Sequence, residues 1–310
     1  MRFAIVGGGG AMGGVWASRL AGAGNEVAIL DVSPAALAAI NSDGLSVEWK
    51  DGTVTTTKLL ASADPAEIGP VDAVIFFTKA YHTRSAAELA MPLVTPATTV
   101  ASLQNGWGNS DTLASVFPPE QIIMGVTYHS AKVNAPGQIG YTNPHAPTFV
   151  GPYLDGAPLR RAQAVGDAMN GAGIETTVTP EVKTEVWKKL ILNCATLPTA
   201  ALTRLYSGEL GVAGPVRDTL DVLTSEAAAV ANALGYTIEA DERITFIHGL
   251  LANAGKGKAS MLQDVEAQRL TEIDVINGAI VREGEARGIP VPVNRAMVAL
   301  VHGLERSWTQ

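Results

Sequence analysis

The sequence has one cysteine, no long apolar run and no basic stripe, and each of these shortages excludes a class of protein. Because Cys194 is alone, no intramolecular disulfide can form, which favours a reducing compartment. No apolar stretch reaches the roughly 18 residues that a membrane-spanning helix needs. The formal net charge of −8 disfavours broad electrostatic binding to nucleic acid or to acidic lipid.

The sequence also shows no signal peptide. Strand-like residues begin at Arg2 with none ahead of them, which predicts a soluble, cytoplasmic protein.

Histidine is scarce as well, and the sequence indicates no metal site. The histidines are scattered without the spacing of metal ligands, at His82, His129, His145, His248 and His302.

What is present is ample apolar material for two cores. At 310 residues, 47% of them apolar, the chain is long for a single core, and two domains are expected. Residues 1–178 alternate strand and helix patterns, which predicts an α/β domain with a doubly wound, mainly parallel sheet of the Rossmann type. Residues 179–310 show apolar spacing of three and four residues, which predicts an all-helical domain. The cleft between two such domains is the default place for a substrate.

Local patterns predict particular elements inside each domain. Residues 45–49 and 53–57, joined through Asp51-Gly52, are typical of a hairpin inserted into the α/β unit. Pro198 should kink or end the helix in which it lies. The helices expected in the second domain cover 181–205, 215–234, 240–254 and 269–287.

A glycine-rich turn follows the first apolar run and opens a helix. Gly8, Gly10 and Gly13 match G-x-G-x-x-G, the pattern that holds the pyrophosphate of a dinucleotide at a helix N-terminus. The register stays open by one residue, because four glycines run together. The residues between these glycines are further candidates for cofactor contact, namely Gly9, Ala11 and Met12.

Asp31 ends the second strand, 18 residues after the last glycine of the motif. A carboxylate in this position accepts hydrogen bonds from both ribose hydroxyls of NAD and repels the 2′-phosphate of NADP. The alternative is a turn or capping aspartate ahead of Val32-Ser33-Pro34. The residue favours NAD, with NADP left open.

Two other strand ends carry polar residues. Lys79 follows the third apolar strand, and Asn105 follows the next strand along the chain. Both are expected at the carboxyl edge of the sheet, where α/β proteins bind ligands. Asn105 is a candidate for contact with the nicotinamide ribose or the substrate, and the alternative for each residue is a solvated loop.

A helix of the second domain carries three polar residues on one face. Glu185, Lys189 and Asn193 are spaced four residues apart. One interpretation is a surface Glu–Lys pair. The other is a lysine that lines a cleft and protonates a developing alkoxide. Periodicity alone does not decide the role of two further residues. Ser260 is either a helix cap or a contact for a substrate carboxylate. Glu272 is either a first-turn residue favoured by the helix dipole or a partner of the lysine.

Over nearly its full length the sequence resembles the ketopantoate reductase (2-dehydropantoate 2-reductase) family. Besides the glycine turn and Lys79, the resemblance is carried by six strings: Gln104-Asn105-Gly106, Trp187-Lys188-Lys189 through Asn193-Cys194, Ser260-Met261-Leu262-Gln263-Asp264, Thr271-Glu272-Ile273-Asp274, Ile276-Asn277-Gly278, and Gly288-Ile289-Pro290-Val291-Pro292. The Ser-Met-Leu-Gln-Asp and Thr-Glu-Ile-Asp strings are specific to this family, far more than the glycine turn.

The resemblance implies a Rossmann domain, a helical domain, and an NAD(P)H-dependent reduction of a 2-oxo acid. It implies that Lys189 is the general acid at the C2 oxygen and that Glu272 positions it. Asn105 and Lys79 would lie by the nicotinamide ribose and the reactive centre. Asn193 would contact the substrate, and Ser260 would bind its carboxylate. Because relatives are commonly dimers, a homodimer is an expectation that the resemblance alone carries.

The sequence departs from the family pattern at three positions. Leu197 and Gly257 stand where relatives usually have the asparagines that hold the terminal hydroxyl of ketopantoate. Loss of both asparagines removes the hydrogen bonds that hold this hydroxyl. Asp31 stands where NADPH-using relatives tend to have a basic or neutral residue. These departures predict a small 2-oxo or 2-hydroxy acid other than ketopantoate as substrate.

Three other interpretations remain at this point. One is an authentic ketopantoate reductase with a rearranged pocket. Another is a β-hydroxyacid dehydrogenase, which shares a similar glycine turn but not the strings around Ser260 and Glu272. The last is a non-catalytic NAD(H) sensor, which would need neither Lys189 nor Glu272.

Overall fold

The computed structural model describes residues Met1–Thr309, which form two compact units. The first unit contains Met1–Gln104 and Asn109–Val182, and the second contains Asn105–Gly108 and the chain from Lys183 onward. The sequence pattern places a boundary at 178–179. It does not anticipate that four residues after a strand of the first unit pack with the second.

The first unit is an α/β domain, as the alternating patterns predict. Its strands are β1 (Arg2–Val6), β2 (Glu26–Leu30), β3 (Leu45–Glu48), β4 (Val54–Thr57), β5 (Leu60–Ser62), β6 (Ala73–Phe76), β7 (Thr99–Ser102), β8 (Ile122–Thr127), β9 (Ser130–Ala135), β10 (Gln138–Asn143), β11 (Thr148–Pro152) and β12 (Thr176–Val178). Its helices are α1 (Ala11–Gly22), α2 (Pro34–Asp43), α3 (Pro65–Ile68), α4 (Thr83–Ala90), α5 (Asn109–Ala114) and α6 (Arg160–Gly171), with 3₁₀ turns at Ala80–His82, Met91–Leu93 and Pro119–Gln121.

The main sheet has the strand order of a Rossmann domain. Its eight strands run β12-β11-β8-β7-β6-β1-β2-β5, and those from β8 to β5 are parallel. Only the β8–β11 pair is antiparallel. β1, β6 and β7 lie in the centre, and their side chains are almost entirely buried because helices cover both faces. The Rossmann fold class predicted from the sequence is therefore confirmed.

The predicted hairpin is also confirmed, and it belongs to a second sheet. β3 and β4 pair antiparallel from Leu45↔Thr57 to Glu48↔Val54. β10 then joins β3 in parallel and β9 on its other side, which gives the order β4-β3-β10-β9. Tyr141 on β10 hydrogen-bonds His129, whose ring packs edge-on against Trp16 of α1 at 5.2 Å. The second sheet is thus joined to the core of the Rossmann domain.

The second unit is helical, as predicted. Its elements are α7 (Val182–Thr203), α8 (Ser207–Leu210), α9 (Pro215–Ala233), α10 (Ala240–Ala252), α11 (Ser260–Glu266), α12 (Asn277–Glu285) and α13 (Pro292–Arg306), with 3₁₀ turns at Ile273–Val275 and Ser307–Thr309. Trp187, Leu190 and Ile191 of α7 lie in its apolar core with residues from α9, α12 and α13. α8, α11 and α13 lie outside the four helical segments that the sequence patterns predict.

One prediction in this unit needs correction. A continuous helix over 269–287 is wrong, because Ile276 adopts φ −103° and ψ −93° and separates the 3₁₀ turn from α12. Of the two effects predicted for Pro198, it does not end its helix, since α7 continues to Thr203, and the kink stays a prediction. Among residues Met1–Thr309, no helix is long and apolar enough to cross a membrane.

We expect Gly13→Ala to destabilise the protein. A Cβ at this position would lie 2.5 Å from the carbonyl oxygen of Gly7 and 2.9 Å from Cα of Gly8, which are both backbone atoms. Such overpacking costs about 1–3 kcal/mol of unfolding free energy, measurable by urea denaturation. Gly22→Ala in the same helix is the control, since nothing lies within 4 Å of its Cβ. Equal stability of the two variants would contradict the tight packing at Gly13.

Candidate active site

The glycine turn connects β1 to α1 through close backbone packing. Gly7 has φ +80°, and its amide donates to the carbonyl of Leu30 at 2.9 Å. A Cβ at Gly8 would lie 2.6 Å from the side chain of Ile29, whereas at Gly10 it would meet only a carbonyl oxygen at 3.2 Å. Gly8 and Gly13 therefore serve packing, and Gly10 leaves room for close approach by another molecule.

The N-terminus of α1 has the properties of a phosphate site. The first amides of a helix, here beginning at Ala11 and Met12, have no partner within the helix. The first turn carries no acidic side chain. The amides and the positive end of the helix dipole therefore suit a pyrophosphate, and this end of the unit fits a dinucleotide.

Asp31 connects the end of β2 to the glycine turn. Its Oδ2 accepts the amide of Gly9 at 2.8 Å, and its Oδ1 accepts the amide of Ser33 at 2.9 Å. The turn role considered for this aspartate is therefore confirmed. Each carboxylate oxygen keeps a further lone pair, so the same group retains capacity to accept ribose hydroxyls. A Cβ at Gly9 would stand 2.9 Å from Oδ2, which explains the glycine there.

Gln104 joins the ends of two central strands, a role that sequence reasoning missed. Its Nε2 donates to the carbonyl of Thr78 at 2.9 Å and to Oγ1 of Thr83 at 2.8 Å. Lys79 lies directly after Thr78, at the residue that precedes the 3₁₀ turn Ala80–His82. Lys79 thus belongs to the first unit, at the carboxyl end of β6.

Asn105, the residue after Gln104, begins the short loop Asn105–Gly108 that belongs to the second unit. Within that loop the amide of Trp107 donates to the carbonyl of Val275 at 2.8 Å. Gly106 has φ +90°, and a Cβ there would lie 2.5 Å from the same carbonyl oxygen. The indole of Trp107 packs against that of Trp187, with ring centroids 5.4 Å apart. These contacts anchor Asn105 beside α7.

Lys189, Asn105 and Glu272 come together in the second unit. The Nζ of Lys189 donates to Oδ1 of Asn105 at 2.8 Å. Burial lowers the pKa of Lys189 from 10.5 to about 8, and the negative charge of Glu272 raises it in opposition. Glu272 itself is only 8% exposed and precedes the 3₁₀ turn Ile273–Val275. Of the two roles considered for Glu272, the structure favours the partner of the lysine.

The surface-pair interpretation of the α7 face applies to a different lysine. Glu185 accepts a hydrogen bond from Nζ of Lys188 at 2.8 Å, at i,i+3 spacing. Lys189 points to the Asn105 and Glu272 side of the helix instead. An ammonium group with a pKa near neutrality both releases and regains a proton at physiological pH, which suits general acid–base chemistry.

The other predicted substrate residues lie in three places. Asn193 is buried one turn beyond Lys189 on α7, with 7% of its surface exposed. Leu197, a further turn along, is partly buried against the apolar core of the second unit. Gly257 is exposed, and its carbonyl accepts the amide of Ser207 at 2.9 Å.

Ser260 is exposed at the first residue of α11. The capping interpretation of this serine is wrong, because the N-cap residue is Ala259 and it forms no side-chain cap. The hydroxyl of Ser260 is therefore not used to cap the helix. In the part of the chain that the structure describes, no group of three or more potential metal ligands occurs.

Comparison with protein families matches both units. The model of the family "Ketopantoate reductase PanE/ApbA" matches residues 3–155, and that of its C-terminal domain matches residues 181–305. A 2-dehydropantoate 2-reductase from Halobacterium salinarum is 30% identical over 302 residues, which cover 97% of this chain and 98% of that protein.

Solved structures with the same fold cover the whole chain. A D-mandelate dehydrogenase in a ternary structure with NADH and anilino(oxo)acetate superposes with a TM-score of 0.93, 27% identity and full coverage of both chains. A PanE/ApbA family ketopantoate reductase from Ralstonia eutropha JMP134 superposes with a TM-score of 0.88 and 31% identity, again over 100% of both chains. The chain therefore belongs to the ketopantoate reductase family of NAD(P)H-dependent oxidoreductases.

Proposed function

We propose that the protein interconverts a small 2-oxo acid and its 2-hydroxy acid, with Lys189 as the general acid and base. The observation that carries the proposal is the buried Lys189, whose pKa is lowered to about 8. In the reduction, the reduced nicotinamide supplies a hydride to C2 when bound. The carbonyl electron pair moves onto the C2 oxygen, and Nζ of Lys189 gives that oxygen its proton. In the oxidation, neutral Lys189 takes the proton back.

The neighbours of Lys189 have distinct roles in this proposal. Asn105 accepts from its ammonium group and fixes the direction in which the remaining protons point. Glu272 opposes the effect of desolvation and so raises the pKa of Lys189. Asn193 and Ser260 are assigned to the substrate, Ser260 to its carboxylate, by family analogy.

Residues 1–178 are assigned to dinucleotide binding and residues 179–310 to catalysis, with Asn105 contributed by the loop of the second unit. The glycine turn from Gly8 to Gly13 would hold the pyrophosphate at the start of α1. Asp31 would accept from the ribose hydroxyls, and Lys79 and Asn105 would contact the nicotinamide end.

NAD(H) is proposed as the preferred cofactor because of Asp31. Its carboxylate is held in place by the amides of Gly9 and Ser33. A 2′-phosphate at this strand end would face a fixed negative charge, which disfavours NADP(H). The structurally similar D-mandelate dehydrogenase was solved with NADH.

The substrate is proposed to lack the terminal hydroxyl of ketopantoate. Leu197 offers no hydrogen bond to such a hydroxyl, and Gly257 has no side chain. A pocket that cannot hydrogen-bond a hydroxyl loses the discrimination in its favour. The similarity to a D-mandelate dehydrogenase is in keeping with an apolar side chain on the substrate.

The second candidate is an authentic 2-dehydropantoate 2-reductase, favoured by the relatives that bear this name at 30% identity. Membership of the ketopantoate reductase family leaves no ground for the β-hydroxyacid dehydrogenase interpretation. The non-catalytic sensor would leave the lowered pKa of Lys189 and the adjacent Glu272 without a use.

We expect the purified protein to oxidise NADH faster than NADPH with its best 2-oxo acid, and to use ketopantoate poorly. Because an apolar pocket rejects an added hydroxyl by no more than about a hundredfold, the best substrate should exceed ketopantoate by roughly 10–100-fold in kcat/KM. Steady-state absorbance assays over a panel of 2-oxo acids give the values. Turnover of ketopantoate with NADPH that matches NADH with any other acid would favour the second candidate.

We expect Lys189→Met to lower kcat roughly 10²–10⁴-fold, the usual contribution of a positioned general acid. The Kd for NADH should change little, because the proposed pyrophosphate and adenosine-ribose contacts lie in the first unit, and only the Asn105 contact adjoins Lys189. Lys188→Met is the matched control and should retain turnover, since Lys188 pairs with Glu185. Unchanged kcat in Lys189→Met would remove the lysine from the mechanism. Absence of turnover in the wild-type protein, with NADH still bound, would favour the sensor.

The pH dependence follows from the protonation of Lys189. Reduction needs the ammonium form, so its rate should fall as the pH rises through about 8, while the oxidation rate should rise. Glu272→Gln removes the charge that raises the pKa of Lys189 and should move this midpoint to lower pH. Glu185→Gln is the control and should leave it in place. Titration of lysine ¹³Cε signals by NMR measures the same shift without turnover, and equal midpoints in both variants would contradict the assignment.

A further inference from the structure

Pro198 lies inside α7 and leaves one helical carbonyl without its usual donor. In an α-helix the amide of residue 198 would donate to the carbonyl of Cys194, and proline has no amide hydrogen. This carbonyl belongs to the turn that follows Lys189 and is adjacent to Asn193. A buried carbonyl without a donor costs about 1–3 kcal/mol, so a replacement is required.

Asn277 supplies the missing donor. Its Nδ2 donates to the carbonyl of Cys194 at 2.8 Å and also to Oδ1 of Asn294 at 3.0 Å. Asn277 and Asn294 are both fully buried. Asn294 is held in turn by Glu226, whose Oε2 accepts from its Nδ2 at 2.8 Å and from its backbone amide at 2.9 Å.

The side chain of Asn277 acts only as a donor, because the hydrogen bonds of its amide are those of Nδ2. In the described part of the chain, Oδ1 of Asn277 is buried and has no hydrogen-bond partner. An unsatisfied buried acceptor is unfavourable, and a small apolar side chain would avoid it. The two hydrogen bonds that Nδ2 donates offset the unfavourable free energy of this unsatisfied oxygen.

The bond from Asn277 to Cys194 also joins the segments that carry the candidate catalytic residues. Asn277 follows Glu272 by five residues, and Cys194 follows Lys189 by five. The 3₁₀ turn between Glu272 and Asn277 accepts the Trp107 amide through its Val275 carbonyl, which anchors the Asn105 loop. The turn Ile273–Val275 therefore contacts the Asn105 loop, and Asn277 contacts α7. These two contacts join the segments that carry Asn105, Lys189 and Glu272.

We propose that Asn277 is a positioning residue, whose side-chain amide replaces the missing Pro198 amide and thereby keeps the Glu272 turn in register with the Lys189 helix. Its first role, as the donor to Cys194, is independent of the reaction. Its second role, the effect on Lys189, rests on the proposed function where turnover is the readout.

The experiment compares Asn277→Ala, Pro198→Ala and the double variant. In Asn277→Ala the Cys194 carbonyl loses the donor that replaces the Pro198 amide, and Tm should fall by roughly 3–6 °C. Alanine at 198 restores a helical amide, so the double variant should regain at least half of this loss. Pro198→Ala alone should stay close to the wild-type Tm. An equal loss in the single and double variants, or failure of both to fold, would overturn the replacement of one donor by the other.

The double variant separates positioning from stability. It satisfies the Cys194 carbonyl but still lacks the bond between α12 and α7, so Glu272 is less firmly held beside Lys189. The pH midpoint of reduction should lie about half a unit or more below that of the wild-type protein, with kcat reduced roughly tenfold. Pro198→Ala keeps the bond and should show the wild-type midpoint. A wild-type midpoint in a stable double variant would mean that Asn277 serves stability alone.

The same variants remain informative if the proposed function fails. Should the wild-type protein reduce no 2-oxo acid, the NMR titration of Lys189 still reports whether its midpoint moves in the double variant. A shift without any turnover would support the positioning role and refute the reaction. Turnover with an unmoved titration would support the reaction and refute the positioning role.

Discussion

The acid–base role proposed for the second unit depends on the burial of one ammonium group, that of Lys189. Burial lowers the pKa of Lys189 to about 8, and the charge of Glu272 limits this fall. Asn105 accepts a hydrogen bond from the same group. Desolvation without the charge of Glu272 would lower the pKa further, and full solvation would keep the lysine charged at all physiological pH values. Burial and the charge of Glu272 together set the pKa of Lys189 between these limits, and Asn105 fixes the position of the ammonium group.

That balance requires three distant parts of the chain to meet accurately. The meeting point is the 3₁₀ turn Ile273–Val275, which follows Glu272. Its Val275 carbonyl accepts the amide of Trp107, and Asn277 next to it donates to α7. The defect that Pro198 introduces into α7 is therefore the point where another segment is attached. In a helix without proline the same carbonyl would already accept a backbone amide, so it would not need this second donor.

Much of the fold could be predicted from the spacing of apolar residues, because this spacing is a local property of the chain. The buried strands of the Rossmann sheet, the β3–β4 hairpin and most helices of the second unit follow from it. The errors occur where side chains override local preference. Thr271 is one example: its amide donates to Glu305 and its Oγ1 accepts from Ile273, which prevents the continuous helix expected over 269–287. A contact with a residue more than thirty positions away cannot be read from spacing.

The sequence by itself determined the family, the glycine turn and the residue types available for chemistry, because these are recorded in short strings. Only the tertiary structure decided what those residues contact. It shows that Asp31 tethers the turn through Gly9, and that Glu185 pairs with Lys188 while Lys189 bonds Asn105. It also shows that Asn277 compensates for Pro198. The reason is physical: burial and proximity set a pKa and a hydrogen-bond partner, and both depend on segments brought together by folding rather than on neighbours in the chain.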